Sequence, residues 1–86
     1  MPAVSGIVTE KWSNLRLANI IVSVDGIAMA RTNKDGWFAG NVAAGVHKFC
    51  IVEEGGQRNY EAACVNVPVT SNMTLNMQMK PIYRAL

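Results

Sequence analysis

The stretch that decides the fold runs from Thr32 to Ile51 and reads TNKDGWFAGNVAAGVHKFCI. Asn33–Gly36 has the composition of a tight turn, and it opens a short aromatic strand, Trp37–Asn41. Ala43–Gly45 then reverses the chain into Val46–Glu53, in which apolar residues recur at alternate positions. Two turns and two short strands this close together predict a β meander.

Composition places the chain among small globular domains. It has 86 residues, of which 50% are hydrophobic and 16% are charged, and its net charge is +2. This length corresponds to one domain with a core of moderate size. Because charges are so few, we expect apolar atoms to remain on the surface unless a partner covers them.

Charge and hydropathy patterns disfavour several classes of partner. The eight Lys and Arg residues are scattered along the chain, without the basic stripe and interleaved aromatics of a nucleic-acid surface. No apolar run reaches the roughly 18 residues that a membrane span needs. Met1–Val4 leads directly into a strand pattern, without the basic and apolar regions of a signal peptide. We therefore expect no nucleic-acid partner and no membrane span, and the sequence leaves the compartment undetermined.

Alternation along the whole chain predicts seven strands and no helix. In the last strand, for example, apolar residues from Met73 to Met79 alternate with polar ones. Half-buried strands joined by tight turns predict an all-β fold, an antiparallel two-sheet β-sandwich. The expected strands are Val4–Lys11, Ala18–Val24, Ile27–Thr32, Trp37–Asn41, Val46–Glu53, Tyr60–Val67 and Met73–Lys80.

Several segments are similar to the elements of one known family. Ser5–Thr9 is similar to its first strand, Leu17–Val22 to its second and Leu75–Met79 to its last. Thr32–Phe38 matches its T-x-x-D-G-x-F turn, and Val42–Gly45 is similar to its L-x-P-G turn. Together these segments resemble the carboxypeptidase regulatory-like domain, a transthyretin-like seven-stranded β-sandwich.

The resemblance covers nearly the whole chain, from Val4 to Lys80, and departs from the family where His47 stands in place of the usual aromatic residue. It implies one domain over residues 1–81, followed by a tail, 82–86. It also implies a non-enzymatic accessory or scaffold module, of the kind appended to peptidases, surface proteins, transporters and adhesins. The family has no shared catalytic residues to carry over.

The two cysteines fall at symmetrical positions around a predicted hairpin. If Gln57 is the midpoint of the turn after Glu53, Cys50 and Cys64 face each other across the two strands. Directly opposed residues lie close enough for a disulfide bond. The alternatives are a pair of reduced thiols or a register slip that separates the two cysteines.

No set of residues in the sequence indicates catalysis or a cofactor. His47 is the only histidine, and a general base needs a nucleophile within reach, which we cannot assign; a packed ring is the simpler interpretation. Two cysteines and one histidine do not supply the four ligands of a zinc site. Turn chemistry accounts for Asp25 and Asp35. We therefore expect neither an enzyme nor a cofactor.

One end of the sandwich gathers aromatic and polar residues. If the strands alternate up and down, the loops after the first, third and fifth strands share that end. An exposed aromatic pair there could stack on a sugar ring or anchor a protein partner. The alternative is that Trp12 covers the open end of the core as a lid. The candidate residues are Trp12, Arg16, Trp37, Arg58 and Tyr60.

A second candidate surface consists of apolar residues that the alternation directs outward, together with the tail. The tail follows the last predicted strand, and an extended segment can add a strand to a neighbouring sheet. The alternatives are a tail that folds back on its own sheet or one that frays. The candidate residues are Ile21, Val46, Val52, Ile82, Tyr83 and Leu86.

These observations lead to two hypotheses of function. The first is a structural module that self-associates, or docks to a larger protein assembly such as a filament, shell, virion or surface appendage. The alternative is an accessory module that binds carbohydrate or peptide through Trp12 and Trp37. The expected partner is thus a protein, as a homo-oligomer or larger assembly, and a glycan under the alternative.

Overall fold

Two four-stranded sheets pack into a β-sandwich in the computed structural model, which describes residues 1–82. Sheet I has the order β4-β1-β7, with β8 also paired to β1, and sheet II has the order β3-β2-β5-β6. A single 3-10 turn, Glu54–Gly56, follows β5. The strands are β1 (Ala3–Glu10), β2 (Ile20–Val24), β3 (Ile27–Arg31), β4 (Trp37–Asn41), β5 (Gly45–Glu53), β6 (Ala63–Val69), β7 (Met73–Thr74) and β8 (Met77–Met79). The predicted two-sheet β-sandwich is confirmed.

Strand directions alternate along the chain as far as β7, and β8 keeps the direction of β7, so β1 has two parallel partners. β1 pairs antiparallel with β4, and β2 pairs antiparallel with both β3 and β5. The last strands run in the same direction as β1, so Val4 pairs with Met73 and Val8 with Met77 in parallel. The loops that follow β1, β3 and β5 therefore lie at the same end of the sandwich, which we call the loop end.

The two turns that frame the meander follow from their residues. Asp25 and Gly26 both have positive φ, 51° and 86°, as a two-residue hairpin between twisted strands requires. In the turn before β4, the side chain of Asn33 accepts hydrogen bonds from the backbone N–H groups of Asp35 (2.9 Å) and Trp37 (3.0 Å). Asn33 thus supplies the side chain that stabilises this turn, and Asp35 lies within it, as predicted.

The core lies between the sheets and is apolar except for one threonine. Thirteen hydrophobic side chains are buried, among them Phe38, Phe49 and Met79. The hydroxyl of Thr32, also buried, donates to the carbonyl of Leu17 (2.7 Å) and accepts from the N–H of Ile20 (2.9 Å). Both hydrogen bonds tie the start of β2 to the end of β3, so this buried polar group is fully partnered.

The structure corrects the predicted bounds of the last two strands. β6 begins at Ala63 instead of Tyr60 and continues through Pro68 to Val69, because an edge strand tolerates proline. Val65 is the cross-strand partner of Phe49 on the inner face of sheet II. It stays 41% exposed because β6 is an edge strand of that sheet within residues 1–82. The predicted last strand is divided into β7 and β8, because Leu75 crosses directly over Gly6 of β1.

Candidate docking surfaces

The outer face of sheet II carries exposed apolar side chains. Ile21 and Val52 are cross-strand partners in β2 and β5, and both point away from the core because their neighbours Ile20 and Ile51 are buried. Val52 is 45% exposed, and Val46, at the other end of β5, is 72% exposed. The structure thus leaves three of the residues predicted for an assembly surface on one sheet face.

The two cysteines lie on the same face, directly opposite each other. Cys50 of β5 pairs with Cys64 of β6, their Cα atoms are 4.1 Å apart, and a disulfide bond joins them. Ser23 is the partner of Cys50 on the other side, in β2. The centre of the face is therefore small and uncharged.

Two charged positions lie on or beside this face. Lys48 points outward from β5, between Val46 and Cys50. At the loop end, the guanidinium of Arg31 binds both carboxylate oxygens of Glu54, at 3.0 and 3.1 Å. This ion pair is exposed and contributes little to stability, and its two charges offset each other.

The tail begins by folding back on its own domain. Pro81 forms an isolated bridge with Tyr60, and the N–H of Ile82 donates to the carbonyl of Asn59 (2.8 Å). As far as Ile82, the chain therefore follows the alternative of a tail that folds back on its own domain. Ile82 and Val52 line one groove of about 280 Å³. Tyr83 and Leu86, also predicted for the assembly surface, lie outside the described residues.

At the loop end, the structure separates the predicted ligand residues. Trp12 is 62% exposed, with Lys11 Nζ 5.3 Å from its ring centroid, so the interpretation of Trp12 as a lid on the core was wrong. Tyr60 is used structurally, because its hydroxyl donates to a carboxylate oxygen of Glu10 (2.6 Å). This hydrogen bond raises the pKa of Tyr60 to about 12. Arg58 lines the groove beside Val52 and Ile82.

Arg16 and Trp37, in contrast, come together on the outer face of sheet I. Arg16 bridges Thr9 and Trp37 pairs with Ile7, so both lie along the same side of β1, two positions apart. A side-chain carbon placed on Gly36 would contact the Cβ of Arg16 at 3.1 Å. Trp37 is 48% exposed, as expected of a residue that precedes the buried Phe38.

A polar cleft of about 430 Å³ opens at the loop end, between the start of β2 and the segment that follows β5. Glu53 lines it and accepts hydrogen bonds from the backbone N–H groups of Asn59 and Tyr60, both at 2.7 Å. The pKa of nearby Glu10 is lowered by its hydrogen bonds from Ser13 and then Tyr60. These carboxylates are held by neighbours, and they organise the loop rather than form an acid–base pair.

The opposite end of the sandwich holds an ion pair that sequence analysis missed. His47 Nδ1 lies 2.6 Å from a carboxylate oxygen of Asp25, and its Nε2 lies 2.7 Å from the carbonyl of Ala43. Asp25 also accepts from the N–H of Lys48 (2.9 Å). Only the register between β2 and β5 could have indicated this ion pair from the sequence. The pairing of Val24 with Phe49 brings Asp25 beside the first residues of β5.

Both ring nitrogens of His47 face oxygen acceptors, which favours the protonated ring. The hydrogen bond to Asp25, and secondly that to Ala43, raises the pKa of His47 above its ordinary value of 6.5. The hydrogen bond from His47, and then that from Lys48, lowers the pKa of Asp25 below 3.8. Since both nitrogens are occupied, the ring is a structural clamp between two turns and has no lone pair to offer a substrate.

This clamp predicts a pH-dependent stability. A raised histidine pKa stabilises the fold below about pH 6.5 and loses this effect as pH rises through the folded-state pKa. A lowered aspartate pKa stabilises above pH 3.8 and loses this effect as pH falls further. We expect the melting temperature to fall from pH 5.5 to 8.5, and to fall less in His47→Gln. An NMR titration that gives His47 a pKa of 6.5 or lower would contradict this.

The described residues contain neither a metal-binding cluster nor a membrane-spanning helix. Within 1–82, no three His, Cys, Asp or Glu side chains lie close enough together to bind a metal ion. That part of the chain also contains no helix with the length and hydropathy to cross a membrane.

Comparison with known proteins identifies the fold and no family. Neither the protein-family models nor the curated proteins give a match to this sequence, so membership of the carboxypeptidase regulatory-like family is not confirmed. Among solved structures, the chain is similar to a protein chain in the type II cohesin–X-dockerin complex of Acetivibrio cellulolyticus, in a C-terminal interface mutant. The TM-score is 0.72 and the sequence identity is 24%. The match covers 92% of this chain and 57% of the other, so this chain spans little more than half of its neighbour's length. The similarity supports a β-sandwich domain.

Proposed function

We propose that this domain is a non-enzymatic assembly module that docks, through the outer face of sheet II, to copies of itself or to a larger protein assembly. The observation that carries the proposal is the exposure of Val46 and Val52 on one sheet face, where Lys48 is the outward charge between them. Exposed apolar side chains on a face with few charges are typical of protein–protein contact surfaces. The groove between Val52 and Ile82 extends this face toward the tail.

Two further observations support a docking role over catalysis. The structural neighbour belongs to a type II cohesin–X-dockerin complex, so a sandwich of similar fold takes part in a protein complex. In the described part of this chain, His47 has both ring nitrogens bonded and Glu53 is held by backbone N–H groups. Neither side chain is placed to activate a nucleophile.

Val52→Lys tests the proposal, because it places a charge on the apolar part of the face, opposite Ile21. We expect the wild-type protein to self-associate with concentration in sedimentation velocity, and Val52→Lys to need about tenfold more protein for the same association. Leu15→Lys is the matched control, since Leu15 is an exposed apolar residue of the loop after β1. Deletion of residues 83–86 tests the contribution of the tail. A strict monomer at millimolar concentration in both the full-length and shortened proteins would rule out self-assembly.

A second candidate function is supported by one observation. Both tryptophans are exposed to solvent, Trp12 in the loop after β1 and Trp37 at the start of β4. Exposed indole rings are the usual anchors of carbohydrate- and peptide-binding surfaces. An accessory module that binds such a ligand therefore remains the alternative to assembly.

A further inference from the structure

We propose that the outer face of sheet I binds a neutral polysaccharide chain, with Trp37 as the stacking platform. This inference deepens the second candidate function and rests on it, whereas the docking proposal concerns the opposite face of the sandwich. Its basis is the chemistry of the side chains that β4, β1, β7 and β8 direct away from the core.

The first observation is that this face is almost free of charge. Burial alternates along β1 and β4, so every second residue of each strand points outward. These outward positions hold no Lys, Arg, Asp or Glu in any of the four strands. The charged side chains beside them lie at the loop-end rim. Arg16 bridges Thr9 and lines the groove there, and Lys11 and Lys80 follow Thr9 and Gln78 by two positions.

The second observation is the position of Trp37 within the face. Its indole is about half exposed, and it pairs across β1 with Ile7. Ala39, the next outward residue of β4, is small, so nothing bulky follows the ring along its strand. A flat aromatic surface bordered by small residues can stack on the apolar face of a sugar ring.

The third observation is the set of polar groups next to Ile7, the cross-strand partner of Trp37. A groove of about 550 Å³ is lined by Ile7, Arg16 and polar residues that include Thr9, Asn76 and Gln78. Thr9 and Gln78 are cross-strand partners, and Asn76 uses its carbonyl oxygen to accept the N–H of Ile7 (3.0 Å). The amide N–H₂ of Asn76 forms no hydrogen bond with residues 1–82. Amides and hydroxyls in this arrangement match sugar hydroxyls, which both donate and accept.

The same chemistry disfavours the other occupants of the face. A second copy of sheet I packed against it would bury the amides of Asn76 and Gln78, at a cost for each group that the partner copy leaves without a hydrogen bond. A nucleic acid or anionic glycan would find cations only at the rim, on Arg16, Lys11 and Lys80, and none along the strands themselves. A neutral glycan supplies hydrogen-bond partners for the amides and requires no compensating charge.

The test uses the fluorescence of Trp37 as a local probe. The chain has two tryptophans, so Trp12→Phe leaves Trp37 as the only indole and serves as the matched control. Cellohexaose, xylohexaose, mannohexaose and chitohexaose are titrated as neutral probes, with hexagalacturonate as the anionic comparison. Isothermal titration calorimetry of Trp37→Ala and Ala39→Glu follows, because Ala39→Glu keeps the indole and places charge and bulk in the middle of the face. Circular dichroism verifies that each variant is folded.

We expect at least one neutral hexaose to shift the Trp37 emission in Trp12→Phe, and its affinity to fall about tenfold in both Trp37→Ala and Ala39→Glu. The proposal is overturned if no neutral hexaose binds at about 10 mM, if hexagalacturonate alone binds, or if Trp12→Phe removes the binding. It is also overturned if Trp37→Ala abolishes self-association without any glycan binding, because the face would then belong to a second copy. Failure of the docking proposal is distinguishable, since it is measured by Val52→Lys in sedimentation.

Discussion

Gly6→Ala is expected to lower the free energy of unfolding by about 3 kcal/mol, a large loss for a domain of this size. Gly6 lies in the middle of β1, and the backbone of Leu75 passes directly over it. A side-chain carbon at this position would overlap the carbonyl oxygen of Leu75. Since the N–H of Leu75 donates to the carbonyl of Ser5 (2.7 Å), the crossing segment cannot move away without losing that hydrogen bond.

Gly40→Ala is the matched control for this prediction. Gly40 also lies in sheet I, but a side-chain carbon there would meet the side chain of Met29, 2.6 Å from its sulfur. Methionine is flexible and can move aside, so we expect a loss of about 1 kcal/mol. Urea unfolding of both variants measures the difference. If Gly6→Ala costs no more than Gly40→Ala, Leu75 does not cross β1 where the structure places it.

The Gly6 contact also affects the proposed glycan face. Leu75 connects β7 to β8, and the next residue, Asn76, bonds to the N–H of Ile7 with its side chain. The amide of Asn72 does the same for the N–H of Ala3 (2.8 Å). Two asparagine side-chain oxygens thus take the place of backbone carbonyls as hydrogen-bond acceptors for β1. Displacement of Leu75 would therefore also displace Asn76, a polar group of the proposed glycan face.

Sequence reasoning succeeded where local pattern alone decides structure. The two-residue periodicity of strands places Val52 and Trp37 on outer faces without knowledge of their neighbours. A symmetrical hairpin likewise sets Cys50 opposite Cys64 once its midpoint is known. The same periodicity, applied to the whole chain, is enough to establish a two-sheet sandwich.

It failed where the outcome depends on residues distant in the chain. The break between β7 and β8 is caused by Gly6, which lies about seventy residues away. Arg16 joins Trp37 only because the loop after β1 returns to bridge Thr9. The pair of Asp25 and His47 requires the register between β2 and β5. None of these contacts leaves a periodic signal in the sequence.

Reduction of the disulfide is expected to lower the free energy of unfolding by about 3 kcal/mol. Cys50 and Cys64 are 14 residues apart, and closing a loop of that length removes about this much conformational entropy from the unfolded chain. β6 depends on this bond more than a central strand would, because within residues 1–82 its only partner strand in sheet II is β5. The effect therefore concentrates at the edge of the proposed docking face.

Urea unfolding with and without dithiothreitol measures this loss, and the double variant Cys50→Ala/Cys64→Ala is the control. The wild-type midpoint should fall in reductant, whereas the midpoint of the double variant should be low and insensitive to it. Two free thiols in the native protein by thiol titration, with a midpoint unchanged by reductant, would contradict the prediction.

Loss of the bond should also loosen β6 from β5, and an unpaired edge is the surface through which β-sandwiches associate without specificity. We therefore expect the reduced protein to aggregate more readily and Val52→Lys to prevent less of that association, because backbone pairing at an open edge does not require the apolar face.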